Sequence, residues 1–424
     1  MSEIEVHVDG LDAEPVLAGR LRPSYTGART LAGSSFQYDT GYLAHGRAYA
    51  ISPELPLVTG RVFTGEDRAM FGAFTDAAPD EWGQKIIQAN HARKLQRDPS
   101  LPRKLGAFDF LLGVSDHTRM GALRFRPADE PSGWLAEDSG VANMRDLSRV
   151  LDVARRYETN EASDDDIAYL SDIATSPGGA RPKANVIDRD GHLAIAKLPH
   201  SKDGPFDVEA WEALALRTAT RSGLNAAQAE LVPASAHRSI LVSRRFDREA
   251  DGRRIGYISA ATALGVAEHG GRTETYEDLA ETISELSSDP AADLRELFGR
   301  ITLNVLVNNV DDHWRNHGFL RTEDGWRLAP AFDVNPSRIR GVISSTPISA
   351  ADDPRQRDLR NLMATAGAYG LREADAAAIL RAVGDHVAEW RHTAADLGIP
   401  DSQVAELASA FDADQLEYAM GASD

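Results

Sequence analysis

The sequence predicts an α+β protein of two lobes, with a mixed, sheet-bearing first half ahead of a mostly helical second half. Short alternating segments broken by turn residues fill the first part of the chain, and strand signals return near the middle. From about residue 276 helix formers dominate. With 424 residues, 42% of them hydrophobic and 26% charged, the chain can bury more than one core.

The segments IEVHVDG, VLAGRLRPSY, SFQYDTGYLAHGRAYAISPELPL and MGALRFRP alternate in polarity and predict a small antiparallel sheet over residues 1–125. One helix interrupts it, opening in PDEWGQKIIQANHARKLQ, with Asp80 as cap and Trp82, Ile86 and Ile87 as an apolar stripe. The stretch PADEPSGWLAEDSGV is rich in Pro, Gly and acids and predicts a loop before the helical MRDLSRVLDVARRYE. In KANVIDRDGHLAIAKLP a turn at Asp190 and Gly191 separates two runs in a hairpin pattern. A helix, VEAWEALALRTATRSGL, closes at Gly223 and leads into strand-like AELVPASAHRSILVSRRFD. Helix formers dominate after about residue 276, as in DLRELFGRITLNVLVNNV and DAAAILRAVGDHVAEWRHTAADLG, and the expected divisions are 1–125, 126–245 and 246–424.

There are no cysteines, so disulfides, thiolate metal sites and cysteine nucleophiles are excluded, and any metal must rest on carboxylate, amide, phosphate or imidazole. That inventory suits magnesium. A net charge of -19 opposes attraction to a phosphate backbone and disfavours direct DNA binding by this chain alone. The start, MSEIEVHVDG, is neither basic nor apolar, and no run approaches the roughly 18 apolar residues of a membrane span. A cytoplasmic protein with no membrane partner is expected.

The densest polar cluster is NNVDDHWRNHGFL, residues 308–320, directly after the apolar run ITLNVLV. Taken alone it reads equally as a helix C-cap with a surface loop. Asp311, however, precedes Asn316 by five positions, the separation of base and metal-binding Asn in the kinase pattern H-R-D-x-x-x-x-N. Downstream, the strand-like WRLAPAFDVNPS ends its apolar run at Asp333, placed as the metal-binding Asp of D-F-G is placed, though Val334 stands where a Phe would follow and the glycine is missing. As a lone residue, Asp333 would read as readily as a turn residue before Pro336. Lys197 interrupts the apolar strand HLAIAKLP, either snorkelling to the surface or meeting an anion, and Glu209 or Glu212 on the next helix could pair with it. The tract SPGGARPK, residues 176–183, offers consecutive glycines whose N–H groups can wrap phosphate, with Arg181 and Lys183 adding charge. Individually weak, these elements stand in the chain order a kinase requires.

Those same segments, with FTDAAPDEWGQKII, LVSRRFDR and LAPAFDVNPS, resemble the HipA-type serine/threonine kinases, the toxin halves of bacterial toxin–antitoxin pairs, over nearly the whole chain. The resemblance implies a two-lobed protein-kinase-like fold with an added β-rich N-terminal subdomain. It implies ATP and Mg2+, with Asp311 as base, Asn316 and Asp333 as metal ligands, and Lys197 on the phosphates with Glu209 as its partner. Gly178, Gly179, Ala180, Arg181, Pro182 and Lys183 would cover the phosphates, Arg244, Arg245 and Phe246 would hold adenine through their backbone, and His313 and Arg315 would lie near the nucleotide. Ser176 matches an autophosphorylation position that switches the family off. Asp312, where the family often carries a small residue, and Arg244, where an acid can occur, depart from the pattern. The implied partners are a HipB-like helix-turn-helix antitoxin, operator DNA reached mainly through it, and a protein substrate of the translation machinery, such as an aminoacyl-tRNA synthetase. Two alternatives stay open on sequence: a catalytically silent relative acting as co-repressor, and a small-molecule kinase sharing the D-x-x-x-x-N logic.

Overall fold

A computed structural model describes residues 3–27, 30–129, 133–136, 140–175, 179–266, 273–339, 346–353, 355 and 357–422. The chain forms two compact units that interleave along the sequence: residues 1–201, 244–258 and 265–271 make the first, and residues 202–243, 259–264 and 272–424 the second.

The first unit is built on strands β1 (Ile4–Val8), β2 (Val16–Thr26), β3 (Thr30–Tyr38), β4 (Arg61–Phe63) and β5 (Leu123–Pro127), hydrogen-bonded in the order β4-β3-β2-β1-β5 and antiparallel throughout. Phe36, Phe74 and Phe125 pack against one another with ring centroids 5.6 and 6.1 Å apart and form the core of this layer. The alternation corresponds to real strands at IEVHV, VLAGRLRPSY and LRFRP, whereas the expected strand segment beginning at Ser35 ends at Tyr38 and continues as a short helix and turns. Where one interrupting helix was expected, the structure has α1 (Thr40–Leu43), α2 (Gly72–Asp76), α3 (Glu81–Arg97) and α4 (Ala107–Gly113). Three of them are two turns or shorter, too brief to show a 3.6-residue period.

Asp80 caps α3 as its position suggested, accepting from Gly83 N at 2.6 Å. The loop expected after residue 126 turns back in its described part. Leu135 N donates to Phe125 O at 2.9 Å, and Trp134 lies edge-on to His7 and beneath the Arg124 guanidinium, 3.9 Å from it. The unit continues with strand β6 (Ala142–Asn143), helices α5 (Leu147–Glu158) and α6 (Asp164–Ile173), and the hairpin of β7 (Lys183–Ile187) and β8 (Leu193–Lys197). Gly191 in the hairpin turn has φ +90°, as the Asp190-Gly191 pair required. Helix α6, hidden in the acidic run ASDDDIAYLSDI, starts on a Ser163–Asp166 capping box that the sequence reading passed over.

The second unit contains α7 (Val208–Arg221), the hairpin of β9 (Ala229–Ser235) and β10 (Arg238–Arg244), and helix α8 (Ala260–Ala263), which follows strand β11 (Tyr257–Ser259). Helices α9 (Tyr276–Leu286) and α10 (Pro290–Leu306) precede a second hairpin, β12 (Gly318–Arg321) with β13 (Trp326–Leu328). Helices α11 (Leu359–Ala364), α12 (Glu373–Ala388), α13 (Trp390–Asp396), α14 (Asp401–Leu407) and α15 (Ala413–Gly421) complete it. Trp211, Trp390 and Phe411 cluster in its interior, the last two stacked 4.1 Å apart and Trp211 tilted against both. Among the described residues no helix is long and apolar enough to cross a membrane.

Candidate active site

Helix α10 delivers the polar cluster. Its last turn closes in a Schellman motif: Asn308 N donates to Val305 O at 3.1 Å, Asn309 N donates to Asn304 O at 2.9 Å, and Asn308 takes the left-handed conformation at φ +51°. The helix is buried along its last two turns, so the reversal begins from a fixed point. The segment is thus a helix C-cap, as one of its two readings had it. The chain leaves the motif as the loop Val310–His317 and enters β12, whose hairpin is pinned to α10 by Asp293. That carboxylate accepts from Leu328 N at 3.0 Å, from Ser287 Oγ at 2.6 Å and from Arg327 Nη2 at 3.0 Å.

Adjacent aspartates in this loop have opposite surroundings. Asp311 is exposed, whereas Asp312 is 1% exposed and receives the Tyr276 hydroxyl, His317 Nε2 at 2.9 Å, Arg357 Nη1 at 2.8 Å and Thr346 Oγ1 at 3.2 Å. Burial alone would raise the Asp312 pKa, but His317 and Arg357 hold it well below the ordinary carboxylate range. Arg357 also donates to Asn309 O, so one guanidinium binds the loop at two points. Asp312 had been set apart as a departure from the family pattern; the structure makes it the node that fixes the loop. Nothing in the sequence surroundings of its partners Tyr276, Thr346 and Arg357 marks them.

Asn316 Nδ2 donates to Asp311 O at 2.9 Å, while its Oδ1 has no hydrogen bond among the described residues. The Asp311 pKa is raised, first by partial desolvation and then by repulsion from Asp333 and Asp312, with His313 opposing. Asp333 thus lies close enough for its charge to be felt at Asp311. It follows Ala331, which is held by Asn225 and Ala227 through backbone bonds of 2.8 Å, and it sits in the left-handed region at φ +56°. A non-glycine residue in that conformation stores strain of the kind that collects at functional sites. Asn335 ties the two loops together, with its N on Asn309 Oδ1 at 3.4 Å and its Nδ2 on Asp333 Oδ1 at 3.1 Å. The second unit therefore brings Asp311, His313, Asn316 and Asp333 into one constellation, with Arg315 exposed on the same loop. Glu209 is 2% exposed in the first turn of α7.

The first unit carries the remaining candidates. Lys197 ends β8, half-buried, and pairs in register with Lys183 at the start of β7. Ala180 and Arg181 precede that strand, and Pro182 O accepts from Leu198 N at 2.9 Å. Lys183 is buried, its Nζ bound to Asp80 and, at 2.7 Å, to Gly179 O. Ser176 and Gly178 lie outside the described residues. The Arg244 side chain bridges Asp188 at 3.0 Å and Asp190 at 2.6 Å on the β7–β8 turn. Arg245 is buried against Asp247, and its N donates to Leu193 O at 2.9 Å. Both arginine side chains are thus spent on the fold, and Phe246 lies 6.2 Å from Tyr257.

Residues 16–126 match the family model described as HipA N-terminal domain, and residues 175–391 match the HipA-like C-terminal domain. The chain belongs to the HipA family. It is 32% identical over 330 residues to Y4mE of Sinorhizobium fredii (strain NBRC 101917 / NGR234), provisionally designated a kinase, covering 70% of this chain and 71% of that one. The fold matches HipA of Shewanella oneidensis MR-1, solved with HipB and operator DNA, at a TM-score of 0.68 and 17% identity over 98% of this chain and 96% of the other. The α+β, kinase-like fold expected from the sequence is therefore the HipA fold.

Proposed function

We propose that this HipA-family chain is an ATP- and magnesium-dependent serine/threonine protein kinase, the toxin of a toxin–antitoxin pair. The observation that carries the reading is the constellation of Asp311, Asn316 and Asp333 on two cross-tied loops. Asp311 accepts or orients the substrate hydroxyl proton, a role served by its raised pKa and by a loop braced through Asp312. The residues fit a hard cation: Asn316 turns its amide nitrogen to Asp311 O and leaves an amide oxygen without a hydrogen bond among the described residues, and Asp333 adds a carboxylate. When bound there, magnesium would neutralise phosphate charge. Lys197, partnered by Glu209, contacts the phosphates. The backbone of Gly178–Lys183 covers them, Arg244–Phe246 hold adenine by main-chain groups, and His313 and Arg315 face the nucleotide.

By the same reading, autophosphorylation at Ser176 adds about two negative charges beside the phosphate site and switches the enzyme off. The proposed division is 1–125 as N-terminal subdomain, 126–245 as first lobe and 246–424 as second. The likeness to a HipA solved with HipB and operator DNA supports a helix-turn-helix antitoxin as partner. The net charge of -19 favours DNA contact mainly through that partner, in the cytoplasm. The substrate class is a translation-related protein. Asp311→Ala is expected to lower turnover by roughly two to four orders of magnitude. Phosphate incorporation into purified substrate and into Ser176, followed by mass spectrometry, measures it, and mutant activity at the wild-type level would refute the assignment.

A further inference from the structure

The start of α3, in the N-terminal family domain, grips the glycine-rich segment of the C-terminal one. Asp80 and Lys183 side chains are 6% and 1% exposed and paired, although 103 positions apart. The Lys183 ammonium also donates to Gly179 O at 2.7 Å, and Trp82 Nε1 donates to Lys183 O at 3.1 Å. A Cβ placed at Gly83 would stand 3.4 Å from the Thr175 carbonyl carbon, so α3 also packs closely on Thr175, whose Oγ1 accepts from Ser115 N at 3.2 Å. Asp80 meanwhile caps α3 itself through Gly83 N.

We propose that Asp80, Trp82 and Lys183 form a latch that fixes the backbone of Gly179–Lys183, making Lys183 a positioning residue and not a phosphate ligand. The proposal rests on the kinase reading only in assigning that backbone to ATP. The lysine charge is cancelled inside the protein, and drawing Nζ out to a phosphate would strand the buried Asp80 carboxylate, a costly exchange. What the segment offers phosphate is its main-chain N–H groups, and these bind well only when held in place. Gly179, at φ +95°, supplies the backbone geometry, and its carbonyl is the atom that Lys183 grasps.

Asp80→Asn separates the alternatives. The amide oxygen can still cap α3 through Gly83 N, but it no longer neutralises Lys183. Amide exchange at Gly179, Ala180, Arg181 and Lys183 in the nucleotide-free protein is expected to rise by roughly ten-fold while α10 is unaffected. The KM for ATP should rise by about ten-fold with kcat within about two-fold, because preorganisation and not the chemical step is lost. Trp82→Phe, which keeps an aromatic ring but removes the pyrrole part of the indole with its Nε1–H donor, should give the same pattern more weakly. Were Lys183 a phosphate ligand, Asp80→Asn would free it, leaving exchange unchanged and KM unchanged or lower, and the proposal would fall. If Asp80→Asn fails to fold, unchanged exchange in Trp82→Phe overturns it equally. Exchange requires no turnover, so an inactive wild-type protein would sink the kinase reading without touching the latch.

Discussion

Asp311 and Asp312 share a peptide bond and little else. One is exposed with a raised pKa, and the other is buried with a lowered one. Partial desolvation is the largest cause at Asp311, and the like charge of Asp333 adds to it. Replacing Asp333 by Asn removes a repulsion that had favoured the protonated form, so the Asp311 pKa must fall. In metal-free protein, carboxyl NMR titration of Asp333→Asn should show the Asp311 midpoint at lower pH than in the wild type; an upward or absent shift would contradict the geometry. In the metal-free wild-type protein the Asp311 midpoint itself should lie above the ordinary aspartate value.

At the scale of elements, Asp312 joins the start of α9, the loop after α10, Thr346 and Arg357. Removing it leaves Arg357 buried without its carboxylate, so Asp312→Ala should cost roughly 3–5 kcal/mol in urea unfolding at neutral pH. Because the Asp312 pKa is depressed on folding, its contribution is present above the unfolded carboxylate value and fades as pH falls. The gap between mutant and wild type should therefore narrow on acidification. Sequence spacing showed the loop itself, since D-x-x-x-x-N and the apolar run of α10 are local patterns. The supports were illegible, because Tyr276 and Arg357 stand 36 and 45 positions from Asp312 and nothing local announces a long-range hydrogen bond. For the same reason Lys183 read as a phosphate-facing charge until Asp80 appeared beside it. Helix α3 and the β7–β8 hairpin were visible because a cap and an Asp-Gly turn act within a few residues.

For the whole molecule, the telling feature is that the first unit reclaims residues 244–258 after the chain has begun the second. Asp247 is 0% exposed and accepts from Gly121 N at 2.7 Å, Arg245 Nε at 2.7 Å and Arg248 Nη1 at 2.8 Å, while Arg254 reaches Asp116 at 3.0 Å. A fragment of residues 1–201 loses these bonds and leaves Asp116 with Arg124 alone of its two arginines, so its urea midpoint, followed by Trp134 and Trp82 fluorescence, should correspond to roughly 3–5 kcal/mol less stability than the same unit in the intact chain. An unchanged midpoint would show that the segment is only a passenger.

The arrangement also sets a clock on synthesis. Gly121 must wait 126 residues for Asp247, and at roughly 5–20 residues per second a ribosome takes about 6–25 s to supply it. Throughout that interval the nascent β5 region carries the Gly121 N–H and the Thr118 and Arg119 carbonyls, whose eventual partners Asp247 and Arg245 do not yet exist. Completion of the first unit is therefore tied to translation of the early part of the second, so the first unit does not mature as an independent module.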